Sequence, residues 1–517
     1  MTTEQSLGGS GKAVFYYVGA LLIFWSVVPS LLFANPPLDV VEGYVWGHEM
    51  ALGYTKHPPL QAWLLEFSNR LTGGFLFGAY FLSQFCIGLT YLFIWKTVRD
   101  LGFDKVRAFW SVVLTSLVFF FTFPTPEFNP NTLQMPIWAG MVYLFHRGLT
   151  LNRLIYWVLL GGLAALGLYT KYFVLLLIGT IGLYLLIVRG ARPFLMRPGP
   201  WIAGVTAIIL FVPHILWMFD TDFLTLRYAA ERSRSPESLL DHLLNPLNFL
   251  VAQIGNHGPM FLVILSGFGL AGIRRFRSKQ SSIEKNTPSK TEPVAKGERT
   301  FLFWFSLLPI ALLVAASMVT GNHFEHMWGA PLFFLSGPLA VLILGLPENW
   351  TFPKNAFLVA VFLQIVLGVV LIGQAVVEPY LRGKGTRLHY PGAEIARAIE
   401  ADWHRQTDAP LTIVAGDMWT AANVSLYSGS RPSLLLYHDF DQSPWIDPLR
   451  AKENGLLVVW RGKDRAEKTQ PGYLKQLYPD IPITGSRTFD FQTGANVEPV
   501  TVGWLIIPPN MVNLPTK

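Results

Sequence analysis

The sequence predicts an α-helical polytopic membrane protein of about 11–13 transmembrane helices, with a small C-terminal α/β domain. Hydrophobic residues make up 51% of the chain and charged residues only 14%, whereas soluble domains carry roughly 25% charged residues. Long apolar runs recur as far as residue 377. After Pro379 they give way to short apolar runs bounded by Gly, Pro and Asp, a pattern typical of strands. We therefore expect a membrane domain in residues 1–378 and a second domain in residues 379–517.

The membrane domain is predicted from apolar runs that are long enough to cross a bilayer. About 20 apolar residues in an α-helix span the roughly 30 Å of hydrocarbon. Eleven such runs lie near residues 14–34, 75–95, 108–123, 131–146, 154–170, 172–188, 201–219, 248–272, 300–320, 327–346 and 355–377.

Short basic segments lie between alternate pairs of these runs and predict how the chain crosses the membrane. Lys and Arg are enriched in cytoplasmic loops, so these segments and the amino terminus are expected inside, and the tail from Glu378 outside. Much of the net charge of +7 is explained by them. The stretch 274–299, rich in Lys, Ser, Glu and Thr, is predicted to be a cytoplasmic linker. The basic segments are residues 96–107, 147–153, 189–197 and 274–279.

The tail is predicted to be a small α/β domain on the outer surface. Residues 392–404 have the pattern of an amphipathic helix, and residues 411–415, 433–437 and 456–460 have that of strands. The tail carries no Gly-rich phosphate loop or nucleotide fingerprint, and nothing in the chain suggests a nucleic-acid partner. The single Cys86 lies in an apolar run, which excludes an intrachain disulfide and argues against thiol-based metal or redox chemistry.

The most informative part of the sequence is the loop of residues 35–74, which follows the first apolar run. It contains two acids, Asp39 and Glu42, and two basic residues, Lys56 and His57. Charges near a bilayer are costly and usually mark a functional site. An ordinary solvated loop is the alternative, but the many Trp, Tyr, Pro and Gly residues favour a packed surface.

The predicted topology places many other ionisable residues on the same side as this loop. We therefore expect the catalytic face to be the non-cytoplasmic one. The residues concerned are Glu127, Lys171, His214, Asp220, Asp222, Arg227, Arg232, His257, His323, Glu325 and His326.

The loop and several later motifs carry a resemblance to a known family. The chain resembles the polyprenyl-phosphate-sugar-dependent glycosyltransferases of the GT-C fold, which include protein O-mannosyltransferases, the aminoarabinose transferase of lipid A and rhizobial lipopolysaccharide galacturonosyltransferases. The resemblance covers about residues 14–350 and is most specific from Asp39 to Pro59. The motifs are Asp39 with Trp46, Gly53-Tyr54, Lys56-His57-Pro58-Pro59-Leu60, Trp63, Glu127-Phe128-Asn129-Pro130-Asn131, Gly161-Gly162-Leu163, Tyr169-Thr170-Lys171-Tyr172, Pro213-His214-Ile215-Leu216-Trp217 and His326-Met327-Trp328-Gly329-Ala330-Pro331.

One position departs from the pattern of these enzymes. Many relatives have an Asp-Glu pair where this chain has Asp39-Val40. A gapless match back from Gly53 keeps Asp39 in the position of the catalytic aspartate. Glu42 would then supply the second acid, because residues i and i+3 share one face of a helix.

The resemblance implies inverting transfer of a sugar from a polyprenyl phosphate to a hydroxyl acceptor. The acceptor would be a lipid or glycan, and the enzyme a multi-pass protein of the bacterial inner membrane with a periplasmic active site and C-terminal domain. Attack by a hydroxyl needs a general base, which we assign to Asp39 with Glu42 in support. The leaving phosphate needs fixed cations, for which the candidates are Lys56, Lys171 and Arg227. Other predicted substrate-binding residues are Tyr54, His57, Glu127, Tyr172 and His326.

Each assignment has an alternative. Asp39 is also a good N-cap, Lys56 could extend to lipid phosphate without a role in catalysis, and Lys171 could be an interfacial anchor. No cofactor is implied, although the sequence His323-Phe324-Glu325-His326 leaves a divalent metal open.

Two alternative functions remain open. The protein could be a transporter or flippase of lipid-linked glycans, or a noncatalytic scaffold of envelope assembly. The sequence does not identify the sugar or the acceptor.

Overall fold

The fold was determined as a computed structural model that describes residues 11–232, 236–267, 296–345, 354–462 and 471–512. The predicted fold class is confirmed, because every apolar run forms helix within these residues and a small sheet domain follows. Most of the predicted linker 274–299 lies outside the described residues.

The membrane domain is built from helices that follow the apolar runs closely. The first ten helices are α1 (Gly11–Leu32), α2 (Leu38–Glu49), α3 (Leu60–Thr72), α4 (Phe75–Asp100), α5 (Lys105–Ser116), α6 (Pro130–Leu151), α7 (Leu154–Thr170), α8 (Leu175–Ile187), α9 (Pro198–Asp220) and α10 (Leu224–Arg232). The next five are α11 (Asp241–Asn256), α12 (Gly258–Gly267), α13 (Lys296–Thr320), α14 (Ser336–Leu344) and α15 (Lys354–Val376).

Among the described residues, five helices are long and apolar enough to cross a membrane, namely α1, α4, α9, α13 and α15. Two bent helix pairs raise this number to seven: α11 with α12, bent by 48°, and the 3-10 helix His326–Phe333 with α14, bent by 59°. The apolar helices α7 and α8 are shorter than a full span. The count of 11–13 spans therefore stays a prediction.

Close packing in the bundle depends on small residues. Gly337 at the start of α14 faces α5 so closely that an added Cβ would lie 2.0 Å from the backbone oxygen of Ser111. Glycine lets helix backbones approach in this way in membranes. Cys86 is buried within α4 and is 4% exposed.

Helices α2 and α3 lie at one end of the bundle and are packed by aromatic residues. Tyr54, in the loop between them, stacks on Trp46 with ring centroids 5.1 Å apart and donates a hydrogen bond to the Trp46 carbonyl at 2.6 Å. Gly53 passes so close to α9 that an added Cβ would lie 2.3 Å from the Trp217 ring. Helix α2 ends at Met50, which adopts a left-handed conformation with φ of 49°. The loop 35–74 is therefore a packed structure, as expected.

The C-terminal domain contains a five-stranded sheet in the order β2-β1-β3-β5-β4. Strand β1 pairs in parallel with β2 and β3, whereas β5 pairs antiparallel with β3 and β4. Three strands were predicted, and β4 and β5 were missed. The strands are β1 (Ile413–Gly416), β2 (Ser433–Leu436), β3 (Leu456–Arg461), β4 (Gly485–Phe489) and β5 (Val500–Ile507), and the helices of this region are α16 (Glu378–Arg382), α17 (Gly392–Gln406), α18 (Thr420–Tyr427), α19 (Pro448–Asn454) and α20 (Pro471–Leu477).

The C-terminal domain is bound directly to α2 and α3. Arg431 donates hydrogen bonds to both carboxylate oxygens of the buried Glu66 at 3.0 and 3.2 Å, and to the Tyr44 carbonyl at 3.2 Å. The Thr55 hydroxyl donates to the Gln442 carbonyl at 2.6 Å. The domain and the loop 35–74 therefore lie at the same end of the bundle.

We predict that Gly337→Ala lowers the thermal stability of the protein. The new methyl group would force α14 away from α5, and overpacking of this kind costs about 1–3 kcal/mol. Gly373→Ala in α15 is the matched control, because an added Cβ there meets nothing within 4 Å. Unfolding followed by tryptophan fluorescence in detergent would test this, and equal transition temperatures for the two variants would contradict the packing described.

Candidate active site

A cavity of about 400 Å³ lies at the end of the bundle that bears the C-terminal domain. Its walls come from α2, the loop before α3, the start of α6, the break between α7 and α8, α10, and the segment 325–328. The lining residues are Leu38, Asp39, Glu42, Lys56, His57, Pro58, Pro130, Asn131, Lys171, Tyr172, Phe173, Thr225, Tyr228, Ala229, Arg232, Glu325, Met327 and Trp328.

Asp39 lies in the first turn of α2 and is held through its backbone. Its N–H donates to Glu127 Oε1 at 3.1 Å, and its carbonyl accepts from Gln61 Nε2 at 2.9 Å. The same Gln61 nitrogen donates to the Phe128 carbonyl at 3.2 Å. The N-cap of α2 is Pro37, and no side chain caps this helix. The carboxylate of Asp39 is therefore not used as a cap and lines the cavity instead.

Asp39 and Glu127 form a coupled pair of acids. Burial raises the pKa of Asp39, and the charges of Lys56 and Lys171 partly oppose this. Burial also raises the pKa of Glu127 to about 7, and the negative charge of Asp39 adds to the effect. Two adjacent carboxyl groups in a poorly solvated site do not ionise independently. Glu127 does not line the cavity, and it contacts Asp39 through the backbone N–H of that residue.

Glu42 and Lys56 form an ion pair in the cavity wall. Glu42 is 3% exposed and accepts a short hydrogen bond from Lys56 Nζ. Burial raises the pKa of Glu42 against the attraction of Lys56. Burial alone would lower the pKa of Lys56, but the ion pair outweighs it and raises that pKa. Glu42 is thus one turn from Asp39 and is paired with Lys56.

Lys171 lies in the extended break between α7 and α8. Its ammonium group donates to Asn131 Oδ1 at 2.9 Å and lies 4.8 Å from the ring centroid of Trp328. Burial lowers the pKa of Lys171 to about 7, and the charges of Asp39 and Glu325 oppose this. A bound anion would restore the full charge of this amine. Lys171 is therefore suited to contact an anionic ligand.

His57 and Tyr172 also line the cavity, as predicted. Burial lowers the pKa of His57 to about 3, assisted by Lys171 and Lys56, so this imidazole is neutral. His214 donates from Nδ1 to the Leu52 carbonyl at 2.6 Å, which leaves its Nε2 to accept from the Tyr172 hydroxyl at 2.7 Å. The Tyr172 ring is therefore fixed in place.

Besides Glu127, three predicted residues lie outside the cavity lining. Tyr54 is fully buried and packs on Trp46. Arg227 is exposed and donates to Asp222 Oδ2 at 2.8 Å. His326 is exposed, whereas the following two residues line the cavity.

Arg232, rather than Arg227, lines the cavity from α10. The cavity face of α10 consists of Thr225, Tyr228, Ala229 and Arg232, which are spaced as one face of a helix. Arg227 falls on another face of the same helix. Arg232 lies 3.4 Å from Glu325 Oε1, a long contact for an ion pair. The helical spacing of α10 would have identified Arg232 from the sequence.

Within the described part of the chain, no group of three or more His, Cys, Asp or Glu side chains is placed to hold a metal ion. His323 and His326, which suggested a metal, have ring centroids 6.0 Å apart.

The chain is similar in sequence and in fold to known proteins. Residues 56–217 match the family described as dolichyl-phosphate-mannose-protein mannosyltransferase. The lipid A galacturonosyltransferase RgtD of Rhizobium johnstonii is 24% identical over 316 residues, or 59% of this chain. The match spans 60% of the length of that curated relative.

The fold is that of a solved bacterial enzyme. The crystal structure of ArnT from Cupriavidus metallidurans bound to undecaprenyl phosphate superposes with a TM-score of 0.56 at 15% identity, covering 96% of this chain and 98% of that one. Its apo state gives a TM-score of 0.50 at 12% identity, covering 97% and 99%. The chain thus has the fold of ArnT, and residues 56–217 are similar in sequence to the mannosyltransferase family.

Proposed function

We propose that this protein transfers a monosaccharide from a polyprenyl-phosphate donor to a hydroxyl group of a lipid acceptor, with inversion, on the outer face of the bacterial inner membrane. The observation that carries the proposal is the placement of Asp39, Lys56 and Lys171 around one cavity. A carboxylate and two amines are the groups that such a transfer needs. The relatives support the substrate classes, since RgtD acts on lipid A and the ArnT structure holds undecaprenyl phosphate.

The proposed reaction assigns a role to each charged group. The acceptor hydroxyl gives its proton to Asp39 as its oxygen forms a bond to the anomeric carbon. The bond from that carbon to the phosphate oxygen breaks, and the electron pair leaves with the polyprenyl phosphate. Lys171 and Lys56 stabilise the charge that grows on this phosphate. Glu42 fixes Lys56 in position, and Glu127 tunes the pKa of Asp39.

The outer location follows from the basic loops in the sequence. The loop between α4 and α5 lies away from the cavity, because Asp100 at the end of α4 pairs with Arg147 near the end of α6, whereas the start of α6 lines the cavity. The positive-inside rule makes that side cytoplasmic, which would place the cavity and the C-terminal domain in the periplasm.

Purified protein in nanodiscs tests the proposal. A donor with a labelled sugar on polyprenyl phosphate is supplied with lipid A, and both the free polyprenyl phosphate and the labelled lipid are measured. Transfer requires both products in equal amounts. A flippase or a scaffold would leave the bond between sugar and phosphate intact, and that result would overturn the proposal.

Asp39→Asn should lower turnover by about 10² to 10⁴-fold, the usual effect of losing a general base. Donor binding should change little, because the amide has the same size as the carboxylate. Asp222→Asn is the matched control, since Asp222 is highly exposed and lies outside the cavity. Near-normal turnover of a well-folded Asp39→Asn variant would move the base to Glu127.

The acid limb of the pH profile is expected above the ordinary range of a carboxyl group. Asp39 must be ionised to accept a proton, and its pKa is raised above the ordinary carboxyl value, so kcat/KM should fall as the pH drops through this raised pKa. Glu127→Gln removes a neighbouring negative charge, which lowers the pKa of Asp39 and should move the limb to lower pH. An unchanged limb in this variant would contradict the coupling of the two acids.

Lys171→Ala should weaken donor binding by about 10 to 150-fold, because a hydrogen bond to a charged group is worth about 1.5–3 kcal/mol. Lys171→Arg should restore it only in part, since guanidinium differs in shape from ammonium. Binding of polyprenyl phosphate to the purified variants measures this. Arg227→Ala is the control outside the cavity. If Lys171→Ala and Lys56→Ala both bind like the parent, the phosphate is held elsewhere, with Arg232 as the next candidate.

A further inference from the structure

A fixed turn lies beside Asp39 and outside the cavity. The 3-10 helix Arg387–His389 follows α16, and the Leu388 carbonyl accepts from the N–H groups of Ala34 and Asn35 at 2.9 and 3.1 Å. His389 bonds through Nε2 to the Ala375 carbonyl at 2.6 Å. The turn is therefore attached to the segment that leads directly into α2 and its Asp39.

Two cations in this turn and just before it lack acidic partners. Arg382 in α16 is paired with Glu378 at 3.0 Å. Lys384 and Arg387 are exposed, and neither has an ion-pair partner among the residues that the structure describes. The Arg387 guanidinium lies 5.4 Å from the ring centroid of Trp419. Arginine in this position keeps its N–H groups free for an anion while its plane is held by the ring.

The support beneath Arg387 is rigid. The Trp419 ring packs on Tyr390 with centroids 5.2 Å apart, and its backbone N–H donates to Asp417 Oδ1 at 2.6 Å. Both residues belong to the C-terminal domain, so this domain supplies the surface on which the guanidinium rests. The exposed cation is thus preorganised rather than a freely moving side chain.

Arg387 is close enough to the proposed base to act on it electrostatically. Its positive charge lowers the pKa of both Asp39 and Glu127. Lys56 and Lys171 act on Asp39 from the cavity, whereas Arg387 is not among the cavity-lining residues. Arg387 is therefore a cation that acts on the base from outside the cavity that would hold the donor phosphate.

Exposed apolar residues next to the turn indicate that it lies at the membrane interface. Tyr380 is 61% exposed and Leu381 is 81% exposed. Both lie in α16, directly after the membrane-spanning α15. Exposed apolar residues next to free cations are suited to the boundary between acyl chains and anionic headgroups.

We infer that Lys384 and Arg387 form a docking surface for the anionic headgroup of the lipid acceptor. This inference rests on the proposed function, because it assigns the acceptor to the side of Asp39 away from the donor phosphate. Arg387 and Lys384 bind an oxyanion of the headgroup, Tyr380 and Leu381 contact its acyl region, and the acceptor hydroxyl reaches Asp39. The unpaired positive charge selects an acidic lipid over a neutral one.

Kinetics with two acceptors test the docking surface. Bisphosphorylated lipid A and chemically dephosphorylated lipid A are compared in nanodiscs at saturating donor, with the parent, Arg387→Gln and Lys384→Gln. At a pH above the acid limb, where Asp39 is ionised in every variant, each substitution should raise KM for the bisphosphorylated acceptor about tenfold, with kcat little changed. KM for the dephosphorylated acceptor should stay constant. Arg382→Gln, a paired cation two positions before Lys384, is the matched control and should behave like the parent.

A binding measurement without donor tests the docking surface separately from the proposed function. Fluorescent bisphosphorylated lipid A is titrated into each purified protein without donor, and its binding should weaken about tenfold in Arg387→Gln. Weakened binding in a protein that shows no transfer would overturn the proposed function but keep the surface. Active variants with parental binding, or equal KM increases for both acceptors, would overturn the surface.

Discussion

The structure depends on how a few carboxyl groups are accommodated at the edge of an apolar bundle. Glu42 is almost completely buried, and an isolated buried charge would be costly. The ion pair with Lys56 compensates the buried negative charge of Glu42. Asp39 and Glu127 have no such direct ionic partner among the described residues, and their burial raises both pKa values. The same exclusion of solvent raises the pKa of Asp39, whose carboxylate therefore binds a proton more tightly than an exposed one. Two acids one helical turn apart thus lie in different electrostatic environments.

The C-terminal domain contributes to the candidate site through the elements that it holds. Arg431 is bonded to Glu66 in α3 and to the Tyr44 carbonyl in α2. Since α2 also carries Asp39 and Glu42, any tilt of this helix would move both acids relative to Lys171. A buried ion pair is weak evidence for stability but constrains orientation. The domain is best understood as a clamp on the short helices at the end of the bundle.

Sequence reasoning succeeded where the signal was local. The apolar runs predicted the helices, and the charged residues of the loop 35–74 identified the cavity wall. It failed where the structure depends on which face of a helix a residue occupies, or on contacts between residues far apart in the sequence. Arg227 and Arg232 are chemically alike, and only the helical phase of α10 separates them. Strand β4 has an exposed, polar sequence and is recognisable only through its pairing with β5. The ion pair of Arg431 with Glu66 joins residues more than 300 positions apart in the sequence. No local sequence pattern predicts such a contact.

The chain has a single cysteine, and its place in the fold makes the protein unusually convenient for spectroscopy. Cys86 lies inside α4 with almost no exposed surface, so water-soluble thiol reagents do not reach it in the folded protein. A cysteine introduced at an exposed position would then be the one accessible thiol, without removal of the native residue. Pairs of spin labels on the C-terminal domain and on α3 could measure how firmly the clamp holds in a lipid bilayer. Such distances can therefore be measured in the native sequence with only the two labelling cysteines added.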